Sequence, residues 1–161
     1  MIQATRLAIE ISLREQRLRL LDGDTLVASY LVSTSKHGAG ETNGSFRTPR
    51  GRHVIRAKIG AGAPIGAVFV GRRPTGEIYS AALRAAGPGR DWILTRILWL
   101  SGTELGRNRL GNVDTMRRYI YIHGSPDTMG QPGSIGCIRM SNEDIIELFD
   151  NVPAGTVVSI E

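Results

Sequence analysis

Arg6-Leu7-Ala8-Ile9-Glu10-Ile11-Ser12-Leu13-Arg14 alternates one residue at a time. Leu7, Ile9, Ile11 and Leu13 fall on one face; Arg6, Ala8, Glu10, Ser12 and Arg14 fall on the other. A pleated strand sends successive side chains to opposite faces, so this period of two marks a strand with one face in a core. The pattern recurs outward from that stretch. Leu18 and Leu20 alternate with Arg17 and Arg19, Asp22-Gly23-Asp24 is a turn favouring positive φ, and Leu26 to Ser33 resumes a strand, which makes a three-strand meander. Residues 34–51 are a loop rich in small polar residues, and His53 to Ile59 alternates again. Ala67 to Val70 is a short apolar run, residues 71–91 read as an irregular excursion punctuated by Gly and Pro, and Trp92 to Leu100 reads as a buried strand. Arg118 to His123 is a strand with Tyr119 and Tyr121 opposite Ile120 and Ile122.

One helix is expected. Ser141 or Asn142 is a good N-cap, Glu143 and Asp144 suit the positive end of the helix dipole, Ile145, Ile146, Leu148 and Phe149 supply the apolar face, and Pro153 stops it. Val157 to Ile160 is a closing strand. About eight short strands and one clear helix place the chain in the mainly β class, with a sandwich or barrel core. With 161 residues, no repeat and no linker, residues 1–161 are expected to form one domain.

Composition narrows the function. Apolar residues make up 41% and charged residues 22%, and no run approaches the ~18 apolar residues of a membrane span. The opening Met1-Ile-Gln-Ala-Thr-Arg6 runs straight into the alternating strand without the uninterrupted apolar segment of an export signal. A cytoplasmic protein is expected, or a periplasmic one if a leader has been removed. The net charge is +5, with Lys36 and Lys58 the only lysines, and arginine prefers planar anions such as carboxylates and phosphates. The arginines are spread along the chain without a basic block, so nucleic acid is not an expected partner. The single cysteine, Cys137, excludes an internal disulfide framework, and no Cys/His set has metal-ligand spacing, so neither metal nor cofactor is expected.

Cys137 sits in Ser134-Ile135-Gly136-Cys137-Ile138-Arg139-Met140, at the end of a Gly/Pro-rich loop. A lone cysteine is often no more than a small buried hydrophobe. Here Gly133 and Gly136 free the backbone around the thiol, and nearby N–H groups can serve as an oxyanion hole. His123 ends the preceding strand, and a histidine facing a cysteine can form a thiolate–imidazolium pair with a depressed thiol pKa. His37, in a Gly-rich loop, reads as solvated and His53 as a packing or edge residue, while Trp92 and Trp99 read as core anchors.

His123-Gly124-Ser125-Pro126 followed by Ser134-x-Gly-Cys137-Ile-Arg139-Met resembles the active-site signature of the YkuD, or L,D-transpeptidase, family. Val32-Ser33-Thr34-Ser35-Lys36 and the turn Thr48-Pro49-Arg50-Gly51 are similar to family elements upstream, and the resemblance runs from about Arg6 to the end. It implies a β-rich catalytic domain acting on peptidoglycan stem peptides through a thioester on cysteine, and inhibition by carbapenem-type β-lactams. Carried over, Cys137 is the nucleophile, His123 the general base, and the Gly124 carbonyl the group that orients the imidazole. The N–H groups of Gly136 and Cys137 are the oxyanion candidates. Ser134 and Arg139 are substrate-pocket residues, Arg139 being equally readable as a structural arginine. Arg47, Arg50, Arg107 and Arg109 are further candidates to bind substrate anions. Ile135 departs from the pattern, since many members carry a second histidine directly before Gly-Cys. The favoured expectation is a cytoplasmic L,D-carboxypeptidase that removes the terminal D-Ala of tetrapeptide muropeptides. The alternatives are an exported L,D-transpeptidase forming 3→3 cross-links and a non-catalytic peptidoglycan-binding module.

Overall fold

The computed structural model describes residues 6–161, so the reading of the Met1–Thr5 opening lies outside the described residues. Strands β1 (Leu7–Ser12), β2 (Arg17–Asp22) and β3 (Thr25–Leu31) form the expected antiparallel meander. Leu7, Ile9 and Ile11 are buried, with Ile9 opposite Leu20 and Ile11 opposite Leu18. Gly23 takes the left-handed conformation, φ 59°, that the Asp-Gly-Asp turn anticipates.

The chain continues through β4 (Gly51–Ile59), β5 (Ala67–Val70), β6 (Arg73–Ile78), α1 (Ala81–Ala86), β7 (Ile93–Gly102), β8 (Tyr121–Ser125), β9 (Ile138–Ser141), α2 (Asn142–Asn151) and β10 (Val157–Ile160). The described residues thus hold ten strands and two helices, more than the eight and one expected. The segment expected to be irregular contains β6 and α1. β6 pairs only with β5 and is nearly all exposed, and α1 buries no residue, so neither needed an apolar stripe. Short β9 was hidden inside the cysteine motif. The tyrosine strand begins at Tyr121 rather than Arg118, because Tyr119 has φ 57° and closes a turn by donating its N–H to the Met116 carbonyl at 3.1 Å.

The sheet runs β3-β2-β1-β10-β4-β7-β5-β6 and curls, and β8 pairs with β7 and carries β9. The last strand lies beside the first: β10 is parallel to β1 and antiparallel to β4. Helix α2 follows β9 directly. Ser141 Oγ accepts the Asp144 N–H at 3.1 Å, and Ile145, Leu148 and Phe149 are buried in the main core. At its far end Lys58 Nζ donates to the carbonyls of Phe149 and Val152 at 2.6 and 2.7 Å, placing a cation on the negative end of the dipole.

Candidate active site

β8 and β9 run parallel, with Ile122 opposite Ile138 and His123 opposite Arg139. Ile122 and Ile138 enter the main core, so Tyr121, His123, Cys137 and Arg139 share the opposite face. This parallel pairing puts the Cys137 and His123 side chains on one face of the sheet, two residues apart in register.

The loop before β9 is held from three sides. Ser33 and Arg139 exchange backbone hydrogen bonds, at 2.9 Å each, and Gly133 and Ser134 both donate to the Thr34 carbonyl at 2.9 Å. Thr48 Oγ1 donates to the Gly136 carbonyl at 2.9 Å and accepts the Ser35 N–H at 3.0 Å. Val32–Lys36 and the Thr48 turn therefore buttress the cysteine loop. Gly136 has φ 134°, and a Cβ there would lie 3.2 Å from Ile120 Cδ1.

The loop holds two of the candidate site residues in hydrogen bonds of its own. Ser134 is buried, its Oγ donates to the Cys137 carbonyl at 2.6 Å and accepts the Gly136 N–H at 3.2 Å. Its hydroxyl is engaged on both sides by the loop backbone. For the same reason the Gly136 N–H, one of the two expected oxyanion donors, is occupied by the Ser134 hydroxyl.

His123 is fully buried and its Nδ1 lies 2.7 Å from the Gly124 carbonyl. A carbonyl only accepts, so Nδ1 carries the proton and Nε2 keeps its lone pair; Nε2 is buried without a hydrogen-bond partner. Gly124 is required there, since a Cβ would meet Asn142 Oδ1 at 2.5 Å and the Leu94 carbonyl at 2.6 Å.

The Cys137 side chain is half-buried against Tyr121, Ile97 and Phe69. Its thiol accepts the Tyr121 N–H at 3.4 Å and donates to the Tyr119 carbonyl at 3.5 Å. Burial pushes the thiol up to about 12, against smaller opposing effects of the Tyr121 N–H, Arg139 and Arg118. Burial likewise lowers His123. Burial thus disfavours the charged form of each group, against the direction that a thiolate–imidazolium pair requires.

The thiol opens into a cleft of about 540 Å³ whose walls include Arg72, Arg118, Tyr119, Tyr121, Asp91 and Ile135. Ile135 is 44% exposed there, an apolar side chain at the mouth. Arg139 donates to the Gly133 carbonyl at 3.1 Å and pairs with Asp91 at 3.1 Å and Asp127 at 3.6 Å. Its fork is committed to the protein, which favours the structural of its two readings. Arg50 is paired with Glu41 and Arg107 with Glu104, and Arg109 lines a separate cavity with Arg56 and Asp114. The cleft cations are instead Arg72, in the segment expected to be irregular, and Arg118, counted as a strand residue. No motif marks either one. His37 is exposed, and His53 is buried between the Gly51 carbonyl and the Thr115 hydroxyl. Trp92 is buried, whereas Trp99 is half-buried under the guanidinium of Arg72.

Comparison with known proteins gives this geometry relatives. The profile of the YkuD family, described as an L,D-transpeptidase catalytic domain, matches residues 6–160. The chain is 32% identical over 154 residues to the YkuD protein of Bacillus licheniformis, covering 94% of this chain and 64% of that protein. It therefore spans under two thirds of that relative's length. Among solved structures, the Enterococcus faecium L,D-transpeptidase, as a cysteine-to-serine mutant, superposes with a TM-score of 0.59 at 17% identity, covering 99% of this chain and 50% of the other. L,D-transpeptidase 3 of Mycobacterium tuberculosis, carrying a faropenem-derived adduct, gives 0.59 at 15%, covering 97% and 60%. At such identities the solved structures establish the fold.

Proposed function

Because the chain belongs to the YkuD family of L,D-transpeptidase catalytic domains, matched over residues 6–160, we propose that it transfers acyl groups of peptidoglycan stem peptides through a thioester on Cys137. The observation that carries this reading is the tautomer of His123: on the sheet face that Cys137 shares, its Nδ1 is pinned by the Gly124 carbonyl and its Nε2 is free. His123 Nε2 takes the Sγ proton as sulfur attacks the carbonyl of the third stem residue. The oxyanion gathers the Cys137 N–H, and collapse expels terminal D-Ala, whose amine takes the proton back from His123. The thioester is then attacked by an acceptor that loses its proton to Nε2.

We propose water as that acceptor, making the protein an L,D-carboxypeptidase. The cleft presents Arg72 and Arg118, and its Asp91 is tied to Arg139, so an incoming ammonium meets net positive charge and water does not. Soluble muropeptides then suffice as substrate, as in cytoplasmic cell-wall recycling; cell fractionation checks the location. Mass spectrometry of a purified disaccharide-tetrapeptide, with and without an added D-amino acid, tests the reaction. Tripeptide is expected in both arms; cross-linked dimer or D-amino-acid exchange without tripeptide overturns hydrolysis in favour of transpeptidation. Carbapenems are expected to raise the intact mass of the protein, with the adduct on Cys137, and an unmodified mass after prolonged incubation counts against the thioester site.

A further inference from the structure

Three arginines approach the cleft or its floor, and their donors are spent differently. Arg139 serves the Gly133 carbonyl, Asp91 and Asp127. Arg118 is half-buried, with Nη1 on the Gly40 carbonyl at 3.2 Å and Nη2 on the Arg47 carbonyl at 2.6 Å and Ser45 Oγ at 3.4 Å. Arg72 has one engaged donor among the described residues: Nη1 donates to the Tyr121 hydroxyl at 2.9 Å. A guanidinium has five N–H donors, so most of Arg72's fork remains to be met.

The side chain is nevertheless placed. Arg72 sits at the tip between β5 and β6 with φ 64°, a conformation that L-residues other than Asn and Asp rarely adopt. Its guanidinium rests in a notch of two rings, 4.7 Å from the Trp99 centroid and 4.9 Å from that of Tyr119, which are 6.3 Å apart. No carboxylate lies within ion-pair distance of it among the described residues. The Tyr121 that receives its hydrogen bond also packs against Cys137 and sends its N–H to the thiol. A fixed, unpaired guanidinium on the wall of a nucleophile's cleft matches a planar anion.

We propose that Arg72 is the carboxylate receptor of the cleft, a specificity-determining residue that holds a substrate carboxylate while Cys137 attacks. This deepens the stem-peptide reading and rests on it for the identity of the substrate. Stem tetrapeptides offer two such groups near the scissile bond: the terminal α-carboxylate of the leaving D-amino acid, and a carboxylate on the side chain of a third-position diamino acid.

Two measurements test it. First, the rate of Cys137 alkylation by iodoacetate relative to neutral iodoacetamide is compared in the wild type, Arg72→Lys and Arg72→Met, which needs no turnover. The ratio is expected to fall about tenfold in Arg72→Met and by less in Arg72→Lys, which keeps the charge without the fork. Equal ratios in wild type and Arg72→Met overturn the proposal. Second, binding to Cys137→Ala is titrated with the tetrapeptide, its C-terminal amide and its third-residue side-chain amide, each with and without Arg72→Met. One amide is expected to bind about 10- to 100-fold more weakly than the acid, and Arg72→Met erases that difference. Whichever amide loses affinity identifies the carboxylate held. A difference that persists in Arg72→Met overturns the proposal. If the alkylation ratio falls but no stem peptide binds, the receptor stands and the stem-peptide reading fails.

Discussion

At the scale of residues, burial disfavours the charged forms of Cys137 and His123. A thiol pushed up to about 12 holds little thiolate at neutral pH. Iodoacetamide should therefore modify the folded protein at least about tenfold more slowly at pH 7.5 than the urea-unfolded chain, with the rate rising through pH 9–10. A fast, pH-flat reaction would mean a resting thiolate. Cys137→Ala should abolish turnover at a stability cost of about 1–2 kcal/mol, and His123→Ala should lower kcat by about 10²–10⁴, the range of a lost general base. His53 supplies a separate pH signal, because burial lowers it from 6.5 to about 4. A histidine that must stay neutral contributes stability above its unfolded pKa, and that contribution is lost as pH falls from about 6.5 to about 4. The loss is about 3 kcal/mol in total. Urea titrations across this window should show the decline, flattened in His53→Gln. Identity, but not environment, was legible in the residues here: Cys137 and His123 stand out by motif, whereas the burial of the thiol depends on the cluster of Phe69, Ile97 and Tyr121 that it packs against.

At the scale of elements, periodicity reported what touches the core and was silent elsewhere. β1, β2 and α2 carry apolar faces because they bury them, so they were readable to within a residue or two. β6 and α1 bury no residue fully and left no pattern, α1 setting only Leu83 against a small core cluster, yet the β5–β6 tip delivers Arg72 to the cleft. Arg118 lies inside the Met116–Tyr119 turn, closed at Tyr119 by a positive φ that no local signal announces. Gly124 is the reverse case, a residue whose motif position was visible and whose reason is steric. It lets β8 lie against Asn142 at the start of α2 and against the Leu94 carbonyl of β7. Gly124→Ala should cost about 1–3 kcal/mol by overpacking and should lower kcat further than that loss accounts for, since it displaces the carbonyl holding His123 Nδ1. Urea unfolding and single-turnover rates on the same preparation separate the two effects; unchanged kcat would show that the carbonyl does not set the imidazole.

At the scale of the whole molecule, the order of the sheet ties the ends of the described chain together. The β1–β3 meander reaches the catalytic half of the sheet through β10, which lies between β1 and β4. The main core ignores that seam: Ile9, Ile11, Leu18 and Leu20 from the meander share one cluster with Leu98, Leu100, Ile122, Ile138 and the α2 residues Ile145, Leu148 and Phe149. The Tyr30 hydroxyl on β3 bonds Glu147 of α2 at 2.6 Å across the same boundary. A shared core and a last strand that joins first and middle strands should make unfolding a single cooperative event. The probes to test this are placed conveniently, since both tryptophans, Trp92 and Trp99, belong to the β7 region, while far-UV circular dichroism reports every strand. Their urea transitions should coincide. Ile160 is fully buried and sits opposite Ile11 on one side and Gly51 on the other. Ile160→Ala should therefore remove about 2–5 kcal/mol, and because the seam is common to both halves it should shift both transitions together. A circular dichroism transition that moves ahead of the fluorescence transition in this variant would show that the meander unfolds by itself, with β10 a joint between two units rather than part of one.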